Sequence, residues 1–257
     1  VDVPEVVKRV YGKDIGVQTN IVRQSPEIAQ GVDTGGAGDQ GIMIGYACND
    51  NDELVPQEYY LARKLAQHIY EKYPYDGKTQ VTMNGNSLRV VASFCCTPTN
   101  TLKDLVVEFF DQYPDYTIED LHCNPAGDWS LGGFDADAGL TGRKLAVDNY
   151  GPRVPVGGGA FSGKDASKVD RSAAYMARRI AVDLLEDRTA SEVSVQLAYA
   201  IGYDKPIQAS ALIDGQHEFV KGYDLTPKGI IDFLELKDPN FSKTAEWGHM
   251  GNNFKWK

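Results

Sequence analysis

The sequence predicts an α+β fold assembled from two similar units of sheet and helix. Three observations lead there. Periods of two and of about 3.6 residues alternate in the order strand, helix, hairpin, helix, and that order recurs further along. Asn84-Gly85-Asn86 between two apolar runs is a tight-hairpin signal. No low-complexity tract and no long linker interrupts the chain.

The opening residues read as a helix. Asp2 is placed to cap it, Pro4 falls in its first turn, and residues 3, 6, 7 and 10 make one apolar face. No strand precedes this helix to bury it, so a piece of its unit is expected upstream. Asp33 to Gly41 holds four glycines and reads as a mobile loop, a lid. Asp39 within it either faces a small ligand or caps a turn. Ile42 to Ala47 is a short apolar strand, and Pro56 to Tyr73 an amphipathic helix. Thr79 to Met83 and Leu88 to Phe94 form the hairpin. A helix from Leu102 to Tyr113 and a strand from Thr117 to His122 close the first block.

In the second block Arg143 to Asp148 reads as a strand and Arg171 to Asp187 as a helix. Strands at Val193 to Tyr203 and Gln208 to Asp214 follow, and Pro227 to Leu236 is the last helix expected.

Composition narrows the function. With 42% hydrophobic and 24% charged residues the chain reads as soluble and globular. A net charge of −10 argues against general binding to nucleic acid or to acidic membranes, so an anionic ligand needs a local basic cluster or a bridging metal. No apolar run approaches a membrane span, and the first residues lack the form of a signal peptide. Cys48, Cys95, Cys96 and Cys123 have no Cys-x-x-Cys spacing, which argues against zinc. Cys95 and Cys96 would alternate faces in a strand, making poor disulfide partners; reduced, cytoplasmic thiols are expected.

The richest chemistry lies in two glycine-rich stretches. Val156 to Asp165 contains Gly157-Gly158-Gly159, then Lys164, with Lys168 and Asp170 close behind. Consecutive glycines expose backbone N–H groups, and a helix starting near Asp170 adds its dipole, which suits a polyanion. Gly158 to Lys164 satisfies Gly-x-x-x-x-Gly-Lys, but Asp165 stands where a P-loop needs Ser or Thr. A triphosphate cradle of another kind is the reading. Asn124 to Lys144 gathers Asp135, Asp137, Arg143 and Lys144 among glycines, with Trp129 able either to stack on a base or to fill a turn.

Gly36-Ala37-Gly38-Asp39-Gln40-Gly41, Gly139-Leu140-Thr141-Gly142-Arg143-Lys144 and Gly157 to Asp165 resemble the signatures of the S-adenosylmethionine synthetase family. Gln24 to Asp33 and Ser167 to Tyr175 fit the same family, in the same order. The resemblance implies three α+β units with pseudo-threefold symmetry, the first incomplete here. Residues 1–35 would be a remnant of the N-terminal unit with a lid loop, 36–133 the central unit, and 134–257 the C-terminal unit carrying the triphosphate loop. It implies a dimer or tetramer with active sites at subunit interfaces, Mg2+ and K+ as cofactors, and ATP and L-methionine as substrates. Residue by residue it makes Lys78, Arg143, Lys144, Lys164 and Lys168 the triphosphate cations and Asp170 a magnesium ligand. Asp39 and Gln24 would contact methionine, Asp137 the ribose side, and Trp129 the adenine.

Three departures stand beside the match. The family's Ser-Glu-Ser-Val-x-Glu-Gly-His-Pro-Asp-Lys stretch, with a catalytic histidine and a magnesium-binding aspartate, has no counterpart in this sequence, and none of His68, His122, His217 and His249 lies in a matching motif. Asp128 replaces a basic residue, and Gly-Gly-Phe-Asp-Ala-Asp replaces Gly-Gly-Pro-x-Gly-Asp. The connections at Gly16 to Ile21 and Asp33 to Gly36 look short. The expected function is therefore S-adenosylmethionine synthesis with release of pyrophosphate and phosphate, slow or absent in this chain alone. The alternative is a shortened nucleotide- or polyphosphate-binding paralogue that pairs with a complete subunit.

Overall fold

The computed structural model describes residues 2–13, 15–33, 35–237, 241–251 and 253–257. Thr34, inside the connection expected to be short, lies outside the described residues.

Helix α1, Val3–Tyr11, starts as its sequence requires. The Asp2 carboxylate accepts from the Glu5 N–H at 3.1 Å, and Gly12 ends the helix in the left-handed region, its N–H donating to Lys8 O. None of its residues is buried. Tyr11 and Lys13 lean on a 3-10 turn at Gly133–Asp135, through Phe134 (ring centroids 5.4 Å apart) and Asp135 (3.2 Å). Helix α2, Pro26–Asp33, was not foreseen, although Ser25-Pro26-Glu27 carries a start signal: the Ser25 hydroxyl accepts from the Glu27 N–H.

Two sheets follow. β1 (Gly41–Cys48) leads into α3 (Gln57–Lys72), then the hairpin of β2 (Gly77–Asn84) and β3 (Ser87–Phe94), α4 (Thr99–Phe110) and β4 (Thr117–Cys123). β2 and β3 are antiparallel, and β4 joins β3 in parallel after the α4 crossover. Leu61, Leu65 and Ile69 of α3 and Leu102, Val106 and Phe109 of α4 pack on Val81, Leu88 and Val90. Each such buried side chain contributes about 1.5–3 kcal/mol. α4 begins three residues before its expected start because Asp128, from the far end of β4, accepts from both the Thr99 N–H (2.9 Å) and its hydroxyl (2.6 Å). Those bonds, with one from Asn124, hold the Asp128 carboxyl below its usual value.

The expected strand at 143–148 is instead a single helical turn, α5 (Leu145–Asp148). Its apolar residues face no sheet edge: Val147 is 65% exposed, and the turn is closed by Asn149, whose N–H and side-chain amide both donate to Leu145 O. α6 (Val169–Arg188) comes next, then β5 (Glu192–Tyr199), β6 (Gln208–Ile213) and an unforeseen short β7 (Gln216–Phe219). The last expected helix, α7, stops at Phe233 (Pro227–Phe233), and α8 (Phe241–Glu246) lies beyond it.

The second sheet runs β1-β5-β6-β7, antiparallel throughout. β1 thus pairs with a strand from the second block, Gly41 opposite Tyr199 and Cys48 opposite Glu192. Its unbroken apolar run is explained by burial on both faces: Met43 and Ala47 join the α6 core, while Ile44, Tyr46 and Cys48 join Val55, Tyr150 and Met250. α6 lies so close on β1 that a Cβ at Gly45 would overlap the backbone of Ala177 and Arg178. The alanines at 173, 174, 177 and 181 permit that approach.

Candidate active site

The three glycine-rich segments named from the sequence converge at the N-terminal end of α6. A Cβ on Gly157 would overlap the Ile42 carbonyl, so the Gly157–Lys164 loop rests directly on the start of β1. A Cβ on Gly159 would sit 2.5 Å from Asp170 Oδ1, and one on Gly41 would sit 4.0 Å from the same oxygen. A Cβ on Gly142 would sit 3.0 Å from the Ala160 side chain, which places the Gly139–Lys144 segment beside the same loop. At Gly157 and Gly159 only glycine permits so close an approach, and Gly41 and Gly142 lie beside them, which builds the cradle.

Lys164, Lys168 and Asp170 are half-buried in it, with Arg143, Lys144 and Asp39 exposed at its edge. Lys164 Nζ donates to Asp170 Oδ2 at 2.6 Å. Lys168 is the residue preceding α6, and no side chain caps that helix start, leaving its positive end toward the loop. The Asp39 carboxylate accepts from the Gln40 N–H at 2.8 Å. The 36–38 segment is tied down by Ala37 N to Tyr203 O (2.7 Å) and Gly202 N to Ala37 O (2.8 Å).

The other expected residues lie further out. Lys78, exposed on β2, lines a cavity of about 660 Å³ whose wall includes Phe161 and Ser162 of the glycine loop. Trp129 is half-buried on a separate segment, its carbonyl accepting from the Cys96 N–H at 2.8 Å. Gly133 N donates to Asp76 Oδ2, so this segment sits at the β2 end, two residues from Lys78. Asp137 is exposed and accepts from the Ala138 N–H. Gln24 is exposed, and no hydrogen bond or ion pair among the described residues links it to the cradle.

Two buried arginines went unassigned in the sequence. Arg171 donates to Lys164 O (2.6 Å), to the Tyr175 hydroxyl and to the Thr244 hydroxyl, and lies 3.6 Å over the Phe241 ring. It pins the end of the glycine loop. Arg178, seven residues on and fully buried, donates to the carbonyls of Tyr46, Glu53, Leu54 and Lys257. The i, i+7 spacing on an otherwise apolar helix face was the available signal. His249 was also unassigned. It stacks on Tyr175 (4.7 Å) and meets Phe161 edge-on, and burial beside Arg178, Arg171 and Arg63 lowers its pKa to about 3. A neutral imidazole there supplies no cation to the loop.

Among the described residues no three His, Cys, Asp or Glu side chains come together as a metal cage. Asp170 is one carboxylate beside the glycine cradle, already paired with Lys164. That fits Mg2+, which takes one or two carboxylates and completes its shell with phosphate oxygens and water.

Known proteins resemble this chain over most of its length. Residues 34–97 match the model for the S-adenosylmethionine synthetase central domain, and residues 131–257 that for its C-terminal domain. The S-adenosylmethionine synthase of a Nitratiruptor species is 40% identical over 99% of this chain and 78% of that protein. That of Helicobacter hepaticus is 41% identical over 96% of this chain and 75% of its own. The chain belongs to the S-adenosylmethionine synthetase family. A solved relative, described as an unusual S-adenosylmethionine synthetase from Campylobacter jejuni, superposes with a TM-score of 0.84 at 29% identity, covering 98% of this chain and 78% of that one. The mixed α+β units seen here are thus those of a synthetase. Asp39, Lys78, Asp137, Arg143, Lys144, Lys164, Lys168 and Asp170 fall inside the matched domains, and Gln24 and Trp129 outside them. Among the described residues no helix is long and apolar enough to cross a membrane.

Proposed function

We propose that this chain acts in the synthesis of S-adenosylmethionine from ATP and L-methionine. The observation that carries the proposal is the convergence of three glycine segments, Lys164, Lys168 and an uncapped helix start around Asp170. A neutral thioether is a modest nucleophile, so the chain's task is to align it with C5′ of ATP and to stabilise the departing triphosphate. Backbone N–H groups of Gly157 to Gly159 and the ammonium groups of Lys164 and Lys168 would hold the triphosphate oxygens. Arg143 and Lys144 would close on it from the Gly142 side, and Lys78 from the cavity shared with Ser162. Asp170 would hold one Mg2+, which supplies charge compensation to phosphate oxygens when bound. Asp39 would receive the methionine ammonium, with Gln24 a second contact, and Trp129 and Asp137 would serve the adenine and ribose. The released tripolyphosphate would be cleaved to pyrophosphate and phosphate in the same cradle. Pairing with a second subunit completes the reading.

The test is tripolyphosphate and ATP binding by calorimetry with Mg2+ and K+ present, together with S-adenosylmethionine formation from ATP and methionine. Lys164→Glu and Lys164→Met should each weaken tripolyphosphate by more than about tenfold while the circular dichroism spectrum is unchanged. Unchanged affinity in both would remove Lys164 from the site. Tight binding by the wild type without turnover, even beside a complete subunit, would favour the binding paralogue.

A further inference from the structure

We propose that Cys95 and Cys96 form a reversible modification site, a vicinal dithiol that a small disulfide oxidises to a ring, with the Trp129 segment as the part that responds. The expectation that these thiols alternate faces holds only inside a strand, and β3 ends at Phe94. Cys96 has φ 54°, in the left-handed region, and that turn brings the two Sγ atoms to 3.5 Å. The pair is asymmetric in access: Cys96 is exposed, Cys95 is 3% exposed. Burial and then the Cys96 contact push the Cys95 thiol above its usual pKa, which suits a resolving rather than an attacking thiol.

The chemistry balances with one equivalent of a low-molecular-weight disulfide. The Cys96 thiolate attacks one sulfur and expels one thiolate, leaving a mixed disulfide on Cys96. Cys95 Sγ then attacks Cys96 Sγ, loses its proton to solvent and expels the second thiolate. Two protein thiols become one disulfide, and one small disulfide becomes two thiols. Ordinary disulfides bridge Cα atoms about 4.4–6.8 Å apart, whereas neighbours across a trans peptide are about 3.8 Å apart. The closed ring is therefore strained and easily reduced, the property of a switch rather than a staple.

The Trp129 segment is attached to this pair at three points. Cys96 N–H donates to Trp129 O, Cys96 Sγ to Ser130 O at 3.5 Å, and a Cβ on Gly132 would sit 3.1 Å from Cys95 Sγ. Ring closure takes the Cys96 thiol hydrogen from Ser130 O and re-orients the Cys95–Cys96 peptide, whose N–H holds the Trp129 carbonyl. Cys48 and Cys123 are buried, and burial pushes Cys48 up to about 11, so both serve as internal controls.

The experiment treats the full chain with oxidised glutathione, blocks remaining thiols with N-ethylmaleimide and reads peptide masses, with tryptophan fluorescence recorded in parallel. The expected peptide carries neither glutathione nor maleimide at 95 and 96, is two hydrogens lighter, and returns to two thiols in reduced glutathione. Cys95→Ser should instead keep glutathione on Cys96. Maleimide on both residues, or a lasting glutathione adduct in the wild type, overturns the dithiol. A fluorescence change should accompany closure and vanish in Trp129→Phe; its persistence there overturns the link to Trp129. An effect on ATP binding rests on the proposed function: ring closure with unaltered ATP affinity would overturn the nucleotide role of Trp129 and leave the dithiol standing.

Discussion

Adding one methyl group at Gly157 tests how the cradle is built. In Gly157→Ala the new Cβ overlaps the Ile42 carbonyl oxygen and lies 3.1 Å from the carbonyl carbon. Both partners are backbone: Ile42 is paired with Ala198 in β1–β5, and no rotamer change relieves the clash. The loop must lift off β1 by about 1 Å, and overpacking of this kind costs about 1–3 kcal/mol. Because neither side yields, the upper figure is expected. At a urea slope of about 3 kcal/mol per molar this lowers the midpoint by about 1 M. Gly158→Ala is the internal comparison. Its Cβ meets nothing within 4 Å, but Gly158 has φ +100°, and the strain of a side chain there is of the order of 1–2 kcal/mol. In Gly159→Ala the new Cβ meets the Asp170 carboxylate at 2.5 Å and Asp170 Cβ at 2.9 Å. The carboxylate can rotate but its Cβ is fixed to α6, so stability should fall by about 1–2 kcal/mol while tripolyphosphate affinity with Mg2+ falls by more than about tenfold. The assay is urea unfolding of the three variants followed by calorimetric titration. Equal midpoints for Gly157→Ala and wild type would refute the seating of the loop on β1.

Two further outcomes follow from buried groups. His249 is held neutral with a pKa of about 3, against 6.5 unperturbed, so the unfolded chain binds the extra proton first. Its contribution to stability is complete above about pH 6.5 and is lost as the pH falls toward 3, at up to about 1.4 kcal/mol per pH unit. Urea midpoints measured from pH 7 to pH 4.5 should fall more steeply in the wild type than in His249→Phe, and parallel curves would count against a neutral buried imidazole. Arg178→Met should cost about 3 kcal/mol, because the buried Tyr46 carbonyl loses its donor while Leu54 O keeps the Cys48 N–H, read as a lowered urea midpoint with an unchanged slope.

How much of this was legible depended on the range of the interaction responsible. The hairpin at Asn84-Gly85, the opening helix capped by Asp2 and the long α6 helix are set by turn chemistry, caps and periodicity, all within a few residues. Residues 143–148 misled because an apolar run forms a strand only where a sheet edge is free to receive it, and Asn149 closes a helical turn there instead. α2 is legible only in the short start signal Ser25-Pro26-Glu27, which a glycine-rich stretch follows within ten residues. The cations were named from motif; that Arg171 is buried against Thr244 and that His249 stays neutral beside Tyr175 were not, because both depend on partners some 70 residues away.

Local chemistry therefore determined most of the elements, and the order of the motifs the family. Tertiary structure decided which segments meet. β1 crosses to pair with β5 because its apolar run is buried on both faces. Gly157 seats on the Ile42 carbonyl and Gly159 on the Asp170 side chain because neither residue carries a Cβ, and Gly41 and Gly142 lie beside them. Cys95 and Cys96 face one another because a left-handed residue follows the end of β3. A sequence specifies these contacts only through the packing of all its elements at once, which no local pattern contains.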